Sequence, residues 1–329
     1  MYTMGDNSIF KKAQEAKNKT EEAVKNEQEY MNSIDNMVNE YLNGTGNGGI
    51  STPTEPTDEP IENIKSDWAT IEKIAKEIAK DDTITSETEE VKVVVDGKRY
   101  TIKPGDIFEA EYNGEIKRVR VLGFKHDDLV NKAVYGGNHT KASISFEFLD
   151  FMTGTTYKSM NGSSTNSGGW ANTQMRKDLN GYTTNAAAQS GAIGGLGANL
   201  SNKSYIKQVA KTYIPTYNTA STSTCNDYLW LLASSEIVNS GYQSGAYGVA
   251  ITSEGSQYMY YQKNATEAYD AGSTNRIKKT SSSGSSNHWG LRSPGYHYSS
   301  TFCYVSNDGD VAYSGDASNT TGVAPGFCI

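Results

Sequence analysis

GGWANTQMRKDLNG, residues 168–181, contains the pattern on which the prediction of the fold rests. Trp170, Met175 and Leu179 fall on one face if the segment is helical. The spacing therefore predicts a helix over 170–180 with an apolar face.

Three apolar segments follow towards the C-terminus. DYLWLLASSEI (227–237) predicts a buried strand that runs into a turn. In HWGLRSPG (288–295), Trp289 is expected in the core, and Arg292 is expected to be a buried hydrogen-bonding hub. GVAPGFCI (322–329) predicts a last strand bound to the core.

Strand patterns also precede the helix. EVKVVVDGKRYTI (90–102) predicts two short strands around the turn Asp96-Gly97, because this dipeptide favours a tight hairpin. GEIKRVRVLGF (114–124) and ASISFEFLDFM (142–152) alternate apolar with polar residues, as half-buried strands do. Beyond residue 240 the chain is rich in Gly, Ser, Asn and Tyr with brief apolar clusters, which indicates long ordered loops on short strands.

The N-terminal part has a different organisation. Apolar residues at steps of three and four predict one long amphipathic helix over 8–43, within an N-terminal segment 1–45. Residues 46–63 are rich in Gly, Thr, Pro and acidic residues, and they predict a flexible linker. A short helix at 64–80 and the hairpin form a lead-in, 64–105. The predicted fold class is therefore α+β, with a long N-terminal helix before the main domain, 106–329.

Composition restricts the function. The formal charge is −8, which argues against nucleic-acid binding because that activity normally needs a basic surface. No run of about 18 apolar residues is present, and the start MYTMGDNS lacks the apolar region of a signal peptide. The three cysteines, Cys225, Cys303 and Cys328, are expected as buried small apolar residues, with a disulfide between two of them as the alternative.

The motifs at 168–181, 227–237 and 288–295, followed by 322–329, resemble in order and spacing an uncharacterised gut-bacterial domain family with the C-type-lectin-like fold. They also resemble the variable proteins of diversity-generating retroelements, which use that fold. The resemblance covers roughly 106–329. It implies a C-type-lectin-like ligand-binding domain with a variable region at about 289–329.

The composition of the C-terminal segment agrees with that resemblance. Such retroelements randomise template adenines, and an Asn codon can then become any codon that ends in a pyrimidine. These codons cannot encode Lys, Glu, Gln, Met or Trp, and residues 294–329 contain none of the five. An ordinary loop region rich in Ser, Gly and Asn is the alternative.

The N-terminal segment GDNSIFKKAQEAKNKTEEAV resembles the stretch that follows the membrane helix in type IV pilin-like proteins of Gram-positive gut bacteria. This resemblance implies display at the cell surface, with the membrane-anchoring segment outside the present sequence, and pilin partners for the helix. A generic solvated or coiled-coil helix is the alternative.

The candidate ligand contacts are tyrosines and small polar residues, which supply rigid contact area and adaptable hydrogen bonds as in antibody paratopes. Phe302, Val305 and Val311 are assigned to the core side, and Gly309 to a turn. The predicted contacts are Tyr296, His297, Tyr298, Ser299, Ser300, Tyr304, Ser306, Asn307, Asp308, Asp310, Tyr313, Ser314 and Asp316.

The function predicted from these patterns is a surface-displayed adhesion protein that binds a protein or glycan on a host, phage or neighbouring cell. The alternatives are a structural pilus or fibre subunit, and a calcium-dependent lectin. NDGD (307–310) lacks the spacing of a calcium loop, and a tight turn is the expected structure. No catalytic arrangement, cofactor motif or metal-ligand spacing stands out, so no enzyme, cofactor or metal is predicted.

Overall fold

Fifteen short strands, connected by turns and loops, form the framework of the described structure. The computed structural model describes residues 17, 20, 31, 34, 55–189, 191, 193–219, 221–239, 254–264, 274–311 and 313–329. The first eight strands are β1 (Thr57–Asp58), β2 (Val91–Val95), β3 (Lys98–Ile102), β4 (Ile107–Tyr112), β5 (Glu115–Phe124), β6 (Asp128–Leu129), β7 (Ile144–Phe148) and β8 (Lys158–Ser159). The remaining strands are β9 (Val209–Tyr213), β10 (Ser223–Asp227), β11 (Trp289–Pro294), β12 (Thr301–Val305), β13 (Tyr313–Asp316), β14 (Thr320–Thr321) and β15 (Gly326–Cys328).

Four short α-helices lie within the described residues. They are α1 (Trp68–Lys80), α2 (Gln174–Asn180), α3 (Ser234–Ile237) and α4 (Met259–Asn264). Helix α1 matches the helix predicted over 64–80 and buries Ile71, Ile74 and Ile78 completely. Helix α2 is shorter than the predicted 170–180, because a 3-10 turn at Trp170–Asn172 comes first and Thr173 then caps the helix by accepting a bond from the Arg176 amide.

The strands form five small sheets. Their orders are β1-β3-β2, β15-β7-β5-β4, β10-β9-β6, β11-β12-β13 and β14-β8. The predicted hairpin is confirmed, since β2 and β3 pair antiparallel around Asp96 and Gly97, which both have positive φ.

The four-stranded sheet binds the C-terminus to the core. Strand β15 pairs with β7, and the Phe327 ring stacks on Phe146 at 5.2 Å between centroids. Trp68 of α1 meets the edge of the Phe146 ring at 5.5 Å. The predicted C-terminal strand is therefore confirmed, and helix α1 shares one hydrophobic core with the last residues of the chain.

The predicted fold class, α+β with a long N-terminal helix before a C-type-lectin-like domain, is wrong for the structure that is described. The described residues form fifteen strands and four short α-helices, and the longest of these helices has 13 residues. β-branched and aromatic residues at period two pair into sheets, whereas the helical segments end after a few turns. The predicted helix over 8–43 falls almost entirely outside the described residues.

Two further segments differ from their predictions. DYLWLLASSEI is buried except for the half-buried Tyr228. Asp227 ends β10, Trp230 makes an isolated bridge to Gly326, and helix α3 follows, so the predicted continuous strand is not formed. In the predicted linker 46–63, residues from Glu55 onward are described, and β1 pairs there with β3. Among the helices of the described ranges, none combines the length and the apolar composition that a membrane span requires.

Candidate functional site

A buried cluster of charged side chains connects β11, in the sheet β11-β12-β13, to helix α3 and strand β9. Arg292, on β11, donates from Nη1 and Nη2 to the two carboxylate oxygens of Glu236, on α3, at 2.6 and 2.8 Å. The guanidinium also donates to the backbone carbonyls of Thr212, Leu231 and Glu254. Arg292 is 0% exposed, so the prediction of a buried hydrogen-bonding hub is confirmed. Trp289 is buried as well, and its indole donates to the Arg276 carbonyl at 3.0 Å.

The same cluster continues to Lys211 and Asp127. Lys211, on β9, lies between the carboxylates of Glu236 and Asp127. Burial raises the pKa of Glu236 more strongly than any other single effect does, but Arg292 and Lys211 together lower it below the usual value. All four side chains therefore carry charge inside the protein.

The loop between β11 and β12 is exposed, in contrast to the buried strand β11 that precedes it. Tyr296, His297 and Tyr298 are exposed, with 36% exposure for Tyr296 and 48% for Tyr298. Asn166 fixes the loop backbone by three hydrogen bonds. Its side-chain amide donates to the carbonyls of Tyr298 and Thr301 at 2.8 and 3.0 Å, and its backbone N–H donates to the Ser299 carbonyl at 2.7 Å. Rigid backbone with exposed aromatic side chains is the result.

Next to the loop lies an open pocket of about 480 Å³. The loop and the pocket are joined through the backbone, because the Ala317 amide donates to the Ser300 carbonyl at 2.8 Å and Asp316 precedes Ala317. The pocket is lined by Met160, His288, Gly290, Phe302, Cys303, Tyr304, Ser314, Gly315, Asp316, Asn319, Thr320 and Thr321.

Two glycines leave room in this pocket. A Cβ atom at Gly290 would lie 2.8 Å from Thr321 Oγ1, and one at Gly315 would lie 3.3 Å from the Tyr304 ring. A glycine inside the strand motif HWGLRSPG is the sequence signal that a neighbour approaches here. Sequence reasoning missed Met160, His288 and Thr321. Met160 and His288 lie outside the segment 289–329, and Thr321, on β14, lies beyond the last predicted contact, Asp316.

In the turn at 306–310, Asn307 and Asp308 are exposed, whereas the residues on either side of them are not. Ser306 and Asp310 are buried, and the Asp310 amide donates to Ser306 Oγ at 3.0 Å. Ser306 also donates a short hydrogen bond to Asp308, which lowers the pKa of that carboxyl. Gly309 has a φ of +100°, which confirms the predicted turn.

The structure thus divides the predicted contacts among three places. Tyr296, His297, Tyr298, Ser299 and Ser300 form the loop; Tyr304, Ser314 and Asp316 line the pocket; Ser306, Asn307, Asp308 and Asp310 form the turn. Tyr313 belongs to β13, opposite Tyr304, and its side chain is outside the described part. Phe302, Val305 and Val311 are buried, so their assignment to the core is confirmed.

A second pocket, of about 160 Å³, opens beside the charged cluster and is lined by His126, Asp127, Lys211, Glu236 and Ser256 among others. The Ser256 hydroxyl is 3.0 Å from His126 Nε2, but this nitrogen meets the Ser256 carbonyl at the same distance. His126 Nδ1 is 3.6 Å from Asp127 Oδ1, which is too long for a hydrogen bond. The imidazole therefore lacks the relay to Asp127 that a base acting on Ser256 needs.

Cys225, Cys303 and Cys328 are free and buried, which confirms the interpretation as small core residues. Burial raises the pKa of Cys303 to about 12. Over the described ranges, no group of three or more His, Cys, Asp or Glu side chains is placed to hold a metal ion.

A family model matches residues 152–329, which are more than half of the chain. The chain belongs to this family, which is described as a domain of unknown function (DUF6273). Neither the curated proteins nor the solved structures contain a significant match to the chain.

Proposed function

We propose that this member of the DUF6273 family is a ligand-binding protein of the adhesin type. Its contact surface, called here the binding face, consists of the loop 295–300 and the adjoining pocket lined by Tyr304, Ser314 and Asp316. The observation that carries this proposal is the loop itself, in which three neighbouring aromatic side chains are exposed while Asn166 fixes the backbone.

Exposed tyrosines on a rigid loop suit binding for a physical reason. A tyrosine offers a large amphipathic surface and loses little conformational entropy when it is covered. The backbone has already been ordered by Asn166 and by the pairing of β12 with β11 and β13. The loop backbone is therefore ordered before a ligand binds, so binding loses little further backbone entropy.

The pocket favours a neutral polar ligand. Its described lining contains no Lys or Arg, whereas Asp316 supplies a carboxylate and five Ser, Thr, Asn and Tyr side chains supply hydroxyl or amide groups. Ser318 donates to Asp316 from both its amide and its hydroxyl, and this lowers the pKa of that carboxyl. An anionic ligand such as a phosphate would be repelled, while a neutral glycan or a peptide surface finds donors and acceptors.

Display at a cell surface and diversification by a retroelement are further parts of the proposal. They rest on the pilin-like segment and on the missing residue types in 294–329. The separation of an exposed loop from a buried frame supports diversification, because side chains at 296–299 can change without loss of core contacts. Phe302, Ser306 and Asp310 are buried and are expected to stay constant.

The test compares two tyrosines that differ in position. Tyr298→Ser alters the binding face, while Tyr217→Ser removes an exposed tyrosine elsewhere, with 39% exposure against 48% for Tyr298. Wild type and both variants are applied to an array of neutral and acidic oligosaccharides and to immobilised mucin. We expect Tyr298→Ser to weaken binding at least tenfold, which is about 1.4 kcal/mol, without a change in melting temperature.

Tyr217→Ser should bind as the wild type does. Equal binding by all three proteins would show that the loop is not the contact surface. A wild-type protein that binds neither the array nor the mucin would refute a glycan ligand, and the same variants on intact cells would then test for a protein ligand.

A further inference from the structure

Lys211 is placed between two carboxylates in the interior of the protein. Its Nζ atom is 2.5 Å from Asp127 Oδ1 and 2.6 Å from Glu236 Oε1, and all three side chains are at most 3% exposed. The Trp230 ring lies 4.5 Å from the ammonium group, and the Tyr258 hydroxyl accepts from it at 3.1 Å. This arrangement brings an amine, a carboxyl group and a second carboxylate together away from solvent.

We propose that Lys211 and Asp127 condense to an intramolecular isopeptide bond, with Glu236 as the group that transfers protons. The Lys211 nitrogen attacks Cγ of Asp127, a C–N bond forms, and one C–O bond of the carboxyl breaks. An ammonium and a carboxylate become one amide and one water molecule, so atoms and charge balance without an oxidant or an activated co-reactant. Glu236 takes a proton from Nζ and returns it to the departing oxygen.

The buried environment supplies the driving force. Two charges buried in the interior carry a desolvation penalty that their attraction only partly offsets. A neutral amide removes both charges, and the released water gains the solvation of the bulk. The fixed contact distance replaces an encounter in solution, which corresponds to effective concentrations of about 10⁵ M or more in well-oriented systems.

Protonation states also allow the reaction. The largest effect of burial is to raise the pKa of Asp127, but Lys211 and His126 outweigh it and hold the pKa well below its usual value. The resting state is therefore the ion pair. Transfer of a proton along a hydrogen bond of 2.5 Å produces the neutral amine and acid without moving net charge, so a small population of the reactive pair is accessible.

Asp127, and not Glu236, provides the carbonyl carbon of the new amide, because the two carboxylates accept hydrogen bonds from different donors. Both oxygens of Glu236 are held by the Arg292 guanidinium, which keeps this carboxylate charged and suited to accept a proton. Asp127 receives hydrogen bonds from the hydroxyls of Ser145 at 2.6 Å and Tyr258 at 2.9 Å. These neutral donors polarise the carboxyl group, and the pocket of about 160 Å³ that Asp127, Lys211 and Glu236 line provides the space for the leaving water.

The experiment needs only the wild-type chain. The intact mass, measured after full denaturation, is expected to be lower than the sequence mass by one water molecule. Trypsin should fail to cut after Lys211, and the digest should contain a branched peptide that joins the segments around residues 127 and 211. Lys278 is the internal control, because this buried lysine contacts one carboxylate, Glu147, at 2.5 Å and should remain unlinked.

Variants separate the chemistry from the fold. Lys211→Arg keeps the positive charge and should have the full sequence mass, and Glu236→Gln should also remain unlinked if Glu236 transfers the protons. A wild-type chain with the full sequence mass and normal cleavage after Lys211 would overturn the proposal and leave an ordinary ion pair. Since that result comes from the native sequence, it stands even if a variant fails to fold.

Discussion

Replacement of Arg292 by methionine is the sharpest test of the frame beneath the binding face. Methionine has a similar length but neither the charge nor the five donors of arginine. The change would leave the buried Glu236 carboxylate with Lys211 and the Ala233 amide as its partners. The carbonyls of Thr212, Leu231 and Glu254 would each lose a donor.

The magnitude follows from the burial of the pair. Removal of one partner from a buried, hydrogen-bonded ion pair costs about 3–5 kcal/mol, because the other charge stays buried without compensation. Arg292 and Glu236 are 0% and 1% exposed, and because Lys211 still pairs with Glu236 at 2.6 Å, we expect a loss at the lower end of this range, about 3 kcal/mol. Against a typical free energy of unfolding of about 5–15 kcal/mol, such a loss removes a large part of the stability.

Urea unfolding, followed by tryptophan fluorescence and extrapolated linearly to water, measures the loss. Arg99→Met is the matched control, because Arg99 pairs with Asp58 at 3.1 Å where both side chains are exposed. Exposed pairs contribute about 0–1 kcal/mol. If Arg292→Met lost no more stability than Arg99→Met, the reasoning that the buried cluster holds the sheet would be wrong.

Two further predictions concern pH and the gene. Burial lowers the pKa of Lys278 from 10.5 to about 8. Between these pH values the unfolded chain binds more protons than the folded chain, so the free energy of unfolding should rise with pH, by at most about 1.4 kcal/mol per pH unit. Urea titrations at pH 7.5 and 9.5 should show a smaller rise for Lys278→Met than for the wild type, and an equal rise in both would contradict the shift. If a retroelement diversifies the chain, sequencing around the gene should find a reverse transcriptase and a near-copy of the region coding for 289–329, with adenines at the codons for 296–299 and not at those for Phe302 and Ser306. Absence of both would end that part of the proposal.

Part of the candidate site was accessible from the sequence. The exposed positions at 296–299 and the buried Phe302 and Val305 were assigned from the alternation of residue types. Ser306 and Asp310 were placed in the same exposed set, but the turn around Gly309 turns both inward and uses their polar atoms for its own hydrogen bonds. A turn whose side chains hydrogen-bond to its own backbone can have the same composition as a turn whose side chains are free to contact a ligand.

The sequence by itself determined the local features: the Asp96-Gly97 hairpin, the apolar face of helix α1, the C-terminal strand and the burial of Trp289 and Arg292. These depend on neighbours within a few positions, where dihedral preferences and periodicity act directly. Only the tertiary structure decided that Met160 and Thr321 line a pocket with Tyr304, and that Lys211 lies between Asp127 and Glu236. Those contacts join residues separated by 17 to more than 150 positions. The packing of the whole chain fixes them, because the local preference of each residue is compatible with many partners.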